Sequence, residues 1–131
     1  MDIRAYEHLV GKPYKRGCLD GTAFDCWTLV RYIYQLNNIT LPKNLLARWS
    51  RSMITAKMRE NEHMWKPVPF KDKSFLDILL FHTTYQLSTH VGLVLSGRYF
   101  IHAHSQNGVI IEKFTSGFSA SLINKVYRWQ Q

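Results

Sequence analysis

From Asp77 to the C-terminus the sequence breaks into short apolar runs separated by turn signals, a pattern that favours strands over helices. The runs are Asp77–Phe81, His90–Leu95, Tyr99–Ala103 and Val109–Lys113, each rich in β-branched, aliphatic or aromatic side chains and too short for a helix. Ser96-Gly97 reads as a two-residue hairpin loop between the second and third runs, and Asn107-Gly108 is a pair that tolerates positive φ. A last run, Asn124 to Trp129, is expected to add an edge strand.

Ahead of these runs the period is helical. Apolar side chains recur at Cys26, Leu29, Val30 and Ile33, the i, i+3, i+4, i+7 spacing of one buried face, and the pattern fades at Asn37-Asn38. A turn-rich stretch, Gly17 to Thr22, leads into this helix. A second helix is expected about Asn44 to Glu60, with Leu45, Trp49 and Met53 on one side, closed off by Pro67 and Pro69. Helices first and an antiparallel meander of about five strands afterwards make an α+β domain. With 131 residues, 46% hydrophobic and 20% charged, the whole chain, 1–131, reads as a single globular domain.

Seventeen Lys and Arg against nine Asp and Glu give a formal net charge of +8, a bias towards acidic partners such as anionic wall polymers. The basic residues are scattered, with no run longer than Lys15-Arg16, so no nucleic-acid partner is expected. No apolar stretch approaches the length of a membrane span, and the N-terminal residues lack the apolar core of a signal peptide. The expectation is therefore cytoplasmic synthesis without an export signal. Two cysteines eight positions apart in such a chain are expected to be free thiols.

Cys26 lies in the first turn of its helix, where unpaired N–H groups and the positive end of the helix dipole favour a thiolate and can hold an oxyanion. The plainer alternative is a small core residue. His90 opens an apolar strand and His102 lies in the next one, across the hairpin. A two-residue loop pairs His90 with Ala103 and leaves His102 diagonal to it, so that one histidine can orient the other beside the thiol. A metal site is a competing use of His82, His90, His102, His104 and Cys26, but no zinc-type spacing accompanies them. No Gly-x-Ser-x-Gly for serine hydrolysis occurs either.

Phe24-Asp25-Cys26 opening a helix, His90-Val91-Gly92-Leu93, and Phe100-Ile101-His102-Ala103, with Leu41-Pro42 between, together resemble the NlpC-type family of papain-like cell-wall cysteine peptidases, most of all its phage-tail versions. The resemblance covers roughly Lys12 to Lys113. It implies a papain-like fold with the nucleophile at the N-terminus of a helix packed on the sheet. It also implies hydrolysis of peptidoglycan stem peptides, typically between γ-D-glutamate and a diamino acid, by a Cys26–His90–His102 triad without a cofactor or metal. The same resemblance implies that Tyr14 donates to the oxyanion and that Asp25 holds the substrate's free amine. Cys26 is expected as a thiolate paired with an imidazolium on His90. Partners would be stem peptides, with phage-tail or secretion-machine components for delivery, and the site of action the cell wall or periplasm, reached in a phage particle, through a secretion system or on lysis.

Two departures stand out. Trp27-Thr28 replaces the family's usual Ser-Gly, which places a large indole beside the expected cleft as a candidate substrate-binding residue. Leu76 replaces the Gly before Asp77, so that loop is expected to differ. Two other readings remain open at this level: a related Cys–His peptidoglycan amidase, and a non-catalytic tail or wall-binding assembly module.

Overall fold

The computed structural model describes residues 3–41, 56, 64–82, 90–117 and 119–130. The helix expected about Asn44 to Glu60 lies, Ala56 apart, outside the described residues. The helix α1 (Cys26–Leu36) is followed, among the described residues, by six strands: β1 (Trp65–Pro67), β2 (Ile78–Phe81), β3 (His90–Val94), β4 (Tyr99–His104), β5 (Gly108–Lys113) and β6 (Ile123–Trp129). They form one antiparallel sheet in the order β1-β6-β2-β3-β4-β5.

All five expected runs are strands. The sixth, β1, escapes sequence reading because it is three residues long and ends in a proline. Its presence corrects the placement of β6, which is not an edge strand but lies between β1 and β2. Trp65 sits opposite Trp129, their rings edge to face at 4.9 Å, and Val68 N–H continues the contact to the Val126 carbonyl. At the other side of the sheet, Gly11 N–H donates to the Val109 carbonyl and Val109 N–H to the Lys12 carbonyl. The N-terminal segment thus covers the start of the β5 edge. Gly108 makes this possible: its φ is 72°, and a Cβ there would run into the Lys12 carbonyl.

The sheet is buried on both faces. Val91, Leu93, Leu95, Ile101 and Ala103 face α1 and meet its Leu29, Val30 and Ile33. Their alternates Leu79, Phe81, Val94, Phe100 and Val126 build a second cluster on the opposite face. Near the β2–β6 end, Arg128 grips the 1% exposed Asp77 with two hydrogen bonds of 2.9 Å, and the Ser74 N–H adds a third at 2.8 Å. Leu76 holds φ at 75°, the left-handed region that favours glycine. Its amide donates to the Val94 carbonyl, and its carbonyl accepts the Tyr34 hydroxyl.

Candidate active site

Asp25 decides where α1 begins. Its Oδ1 accepts the Thr28 N–H at 2.8 Å while Thr28 Oγ1 accepts the Asp25 N–H at 2.8 Å, a reciprocal capping box. Thr28, a departure from the family pattern, is thus half of the cap. Asp25 Oδ2 takes the Gly17 N–H at 2.7 Å and so also pins the preceding loop. That loop is tied to the helix entrance a second time, since Lys15 N–H donates to the Phe24 carbonyl and Phe24 N–H to the Pro13 carbonyl. Tyr14, carried between these two bonds, is half-buried, and its hydroxyl lies within electrostatic reach of Cys26 and Asp25. Burial first, then those two neighbours, push it up to about 12, so it stays a proton donor at neutral pH.

Cys26 occupies a gap in the sheet. The β3–β4 ladder pairs Leu93 with Ile101 and Val94 with Phe100 and stops there, although β3 runs back to His90 and β4 on to His104. In that register the Val91 N–H points towards β4. It bonds the Cys26 thiol instead, with the N–H groups of Trp27 and Cys26 also directed at the sulfur. The side chain is 3% exposed. Burial dominates its titration and pushes the thiol up to about 12, Asp25 adding to the rise and the three N–H groups opposing it.

The register corrects the expected pairing. The loop after β3 spans Ser96 to Arg98, three residues rather than two, because Leu95 N–H bonds the Tyr99 carbonyl and Arg98 N–H the Ser96 hydroxyl. Continued from Leu93–Ile101, the pairing sets Gly92 opposite His102 rather than His90 opposite Ala103. The one-residue difference matters, because strand neighbours alternate faces and only this register puts His90 and His102 on the same one. Gly92 supplies the room: a Cβ there would lie 3.0 Å from the Phe81 ring, 3.2 Å from His102 Cβ and 3.2 Å from the Ile101 carbonyl oxygen.

His90 Nε2 and His102 Nδ1 are 2.8 Å apart. The His102 ring packs against both Phe81 and Phe100, at centroid distances of 5.6 and 5.5 Å, and is 1% exposed. Burial, followed by His102 and His104, pushes the half-buried His90 down to about 3. Burial thus disfavours the charged form of both Cys26 and His90.

One residue absent from the sequence reading completes the cluster. Glu112 Oε2 lies 2.5 Å from His102 Nε2, and its Oε1 accepts the Ser119 N–H at 3.0 Å. β5 sets Glu112 opposite Phe100, diagonal to His102 and on its face. An acidic residue two places off a histidine's partner in an otherwise apolar run is the signal, legible only once the β4–β5 register is known. The structure also corrects the placement of Trp27. Its indole is 1% exposed within the core rather than beside a cleft, because the whole first turn, Cys26 to Leu29, is buried and not only one face. Cys18 and Cys26 are both free thiols. Among the described residues no group of three or more His, Cys, Asp or Glu is placed to hold a metal ion, and both nitrogens of His102 are already engaged.

A cysteine opening a helix packed on an antiparallel sheet, with paired histidines on adjoining strands, defines the papain-like fold class. The chain belongs to the NlpC/P60 family, whose model matches residues 11–128. Among solved structures it is similar to a Staphylococcus aureus protein described as similar to a lipoprotein of the NLP/P60 family, at 23% identity and a TM-score of 0.64, over 95% of this chain and 38% of that one. A Bacillus cereus NlpC/P60 family protein matches at 18% identity and a TM-score of 0.67, over 98% of this chain and 39% of that one. The NlpC/p60 domain of the peptidoglycan hydrolase SagA matches at 20% identity and a TM-score of 0.63, over 92% of this chain and 90% of that domain. The chain thus spans well under half of the first two proteins and nearly all of the third. No curated protein sequence matches it significantly.

Proposed function

We propose that the protein hydrolyses peptide bonds in peptidoglycan stem peptides, between γ-D-glutamate and a diamino acid, as a cysteine peptidase acting at the cell wall. The observation that carries this reading is the placement of Cys26. It stands at a helix N-terminus inside a strand gap, ringed by N–H groups, with Val91 N–H on its sulfur and His90 one residue away. Membership of the NlpC/P60 family and the likeness to a peptidoglycan hydrolase domain support the substrate class.

The chemistry is acyl transfer. His90 takes the thiol proton as sulfur adds to the scissile carbonyl, a transfer in step with attack because burial disfavours charge on either group. The Cys26 N–H and the Tyr14 hydroxyl stabilise the oxyanion, a contribution of roughly 3–4 kcal/mol for one well-placed donor. His90 then protonates the leaving amine, and water releases the acyl group. Asp25, buried beside Cys26 and Tyr14, fixes the helix start and adds a negative charge that favours a substrate with a free amine.

The test is digestion of purified peptidoglycan and of soluble stem peptides by the wild type and Cys26→Ala, with mass spectrometry of the products. Fragments cut after γ-D-glutamate by the wild type alone are expected. Release of intact stem peptides instead identifies an amidase, and equal fragments from Cys26→Ala sink the nucleophile assignment.

A further inference from the structure

The triad expected from the sequence stops at His102, yet His102 is not the end of the chain of hydrogen bonds. Beyond it stands Glu112, a side chain 10% exposed, 2.5 Å from the remaining ring nitrogen. The segment after β5 folds over this carboxylate. Ser119 N–H bonds Oε1, and Gly117 comes so near that a Cβ on it would lie 2.9 Å from Glu112 Cβ and 3.1 Å from Oε1. Only glycine admits the backbone this close, so the carboxylate is held from one side by the loop and from the other by the imidazole.

We propose that Glu112 is the positioning residue of a four-membered relay, Glu112–His102–His90–Cys26, and that it sets the tautomer of both histidines. A carboxylate accepts only, so His102 must present Nε2–H to it. Its Nδ1 is then a lone pair, and the 2.8 Å contact requires His90 to donate Nε2–H. The one nitrogen of His90 left to take a proton is Nδ1. With the opposite polarity His90 would carry its proton on Nδ1 and could not act as a base towards Cys26. The charge also serves the reacting state. When the thiol proton moves from Sγ to His90 Nδ1, the new imidazolium is stabilised through His102 by a fixed anion, and the proton later leaves on the amine. No oxidant or cofactor enters. Beside the relay stand further titratable groups: His104, whose ring lies 6.4 Å from that of His102, and Asp25 and Tyr14 at the Cys26 end.

The inference rests on the hydrolase reading for its kinetic consequence but not for its geometry. The experiment therefore has two arms. Nitrogen-15 spectra of the histidine rings, in the free wild-type protein, are expected to show pyrrole-type Nε2 and pyridine-type Nδ1 for both His90 and His102. In Glu112→Gln the side-chain amide can turn either its oxygen or its NH2 to His102, so a share of both rings should switch to Nδ1–H. Turnover of a stem peptide should fall roughly 10- to 100-fold in kcat with KM within about threefold, the scale of lost support behind a functional histidine. A wild-type His90 protonated on Nδ1 overturns the proposal, as do unchanged tautomers and full kcat in Glu112→Gln. Should that variant not fold, the wild-type spectrum decides alone. Tautomers as stated in a protein that cleaves no stem peptide uphold the relay and sink only the hydrolase reading.

Discussion

Replacing Gly92 by alanine probes the space on which the histidine pair depends. The added Cβ would lie 3.0 Å from Phe81 Cε2, 3.2 Å from His102 Cβ and 3.2 Å from the Ile101 oxygen, whereas unstrained carbon contacts lie at about 3.5–4.0 Å. None of the three neighbours yields easily. Phe81 is packed against Phe100 and both histidine rings, His102 is tethered at 2.8 and 2.5 Å, and the Ile101 carbonyl is backbone. Overpacking of this kind costs about 1–3 kcal/mol, offset by the ~0.4–1 kcal/mol that alanine gains over glycine through the unfolded chain. Gly97, in the same hairpin, is the matched control: nothing lies within 4 Å of its Cβ position, and its φ is not in the left-handed region. Gly97→Ala should therefore keep the gain of ~0.4–1 kcal/mol that overpacking overrides in Gly92→Ala, a difference of about 2 kcal/mol between the variants, or roughly 6–10 °C in melting temperature for a domain of this length. Calorimetry measures the difference directly, and stem-peptide turnover should fall in Gly92→Ala alone. Equal melting temperatures would refute the claim that Gly92 holds His102 in place.

Three further outcomes follow from the same geometry. Iodoacetamide labelling of native Cys26 should be slow at neutral pH and rise only above the ordinary thiol value of 9.0, because burial holds the group protonated to about 12; a fast plateau near neutrality would restore the ion pair. Stability should fall as pH drops from 6.5 towards 3, where the unfolded chain takes a proton that His90 refuses in the fold, and also as pH rises from 9.0 towards 12, where the unfolded chain releases the Cys26 proton that the fold retains. Urea titrations across that range, with His90→Asn flattening the acid limb, check both signs. Arg128→Ala should cost about 1–3 kcal/mol in the same assay, since it strands the buried Asp77 carboxylate but removes a partner 38% exposed to solvent and leaves the Ser74 N–H in place; a loss under about 0.5 kcal/mol would show the pair to be superficial.

The β runs were legible because each is bounded by turn residues and carries its own apolar pattern, and α1 because Cys26, Leu29, Val30 and Ile33 recur on one face until Asn37-Asn38. What escaped was registry between segments. Ser96-Gly97 suggested a two-residue loop, and the chain uses Arg98 as well, a shift invisible in composition that decides which face His102 takes. Glu112 was hidden for the same reason, since its relation to His102 runs through the β4–β5 pairing and not through sequence distance. β1 was too short to signal itself, and without it β6 looked like an edge. Trp27 was misplaced because its expected place was that of the family's small polar residue, whereas the whole first turn of α1 is buried here.

The interrupted β3–β4 ladder bears on how inactive forms of the protein should be made. Sulfur stands where a strand carbonyl would otherwise receive the Val91 N–H, so the nucleophile is also a structural acceptor. Cys26→Ala removes both at once and strands a buried donor, at about 1–3 kcal/mol, and the strands can then close over the vacated space. Cys26→Ser keeps an acceptor in the seam. For trapping a bound stem peptide, serine is thus the variant that preserves the door as well as disarming the lock.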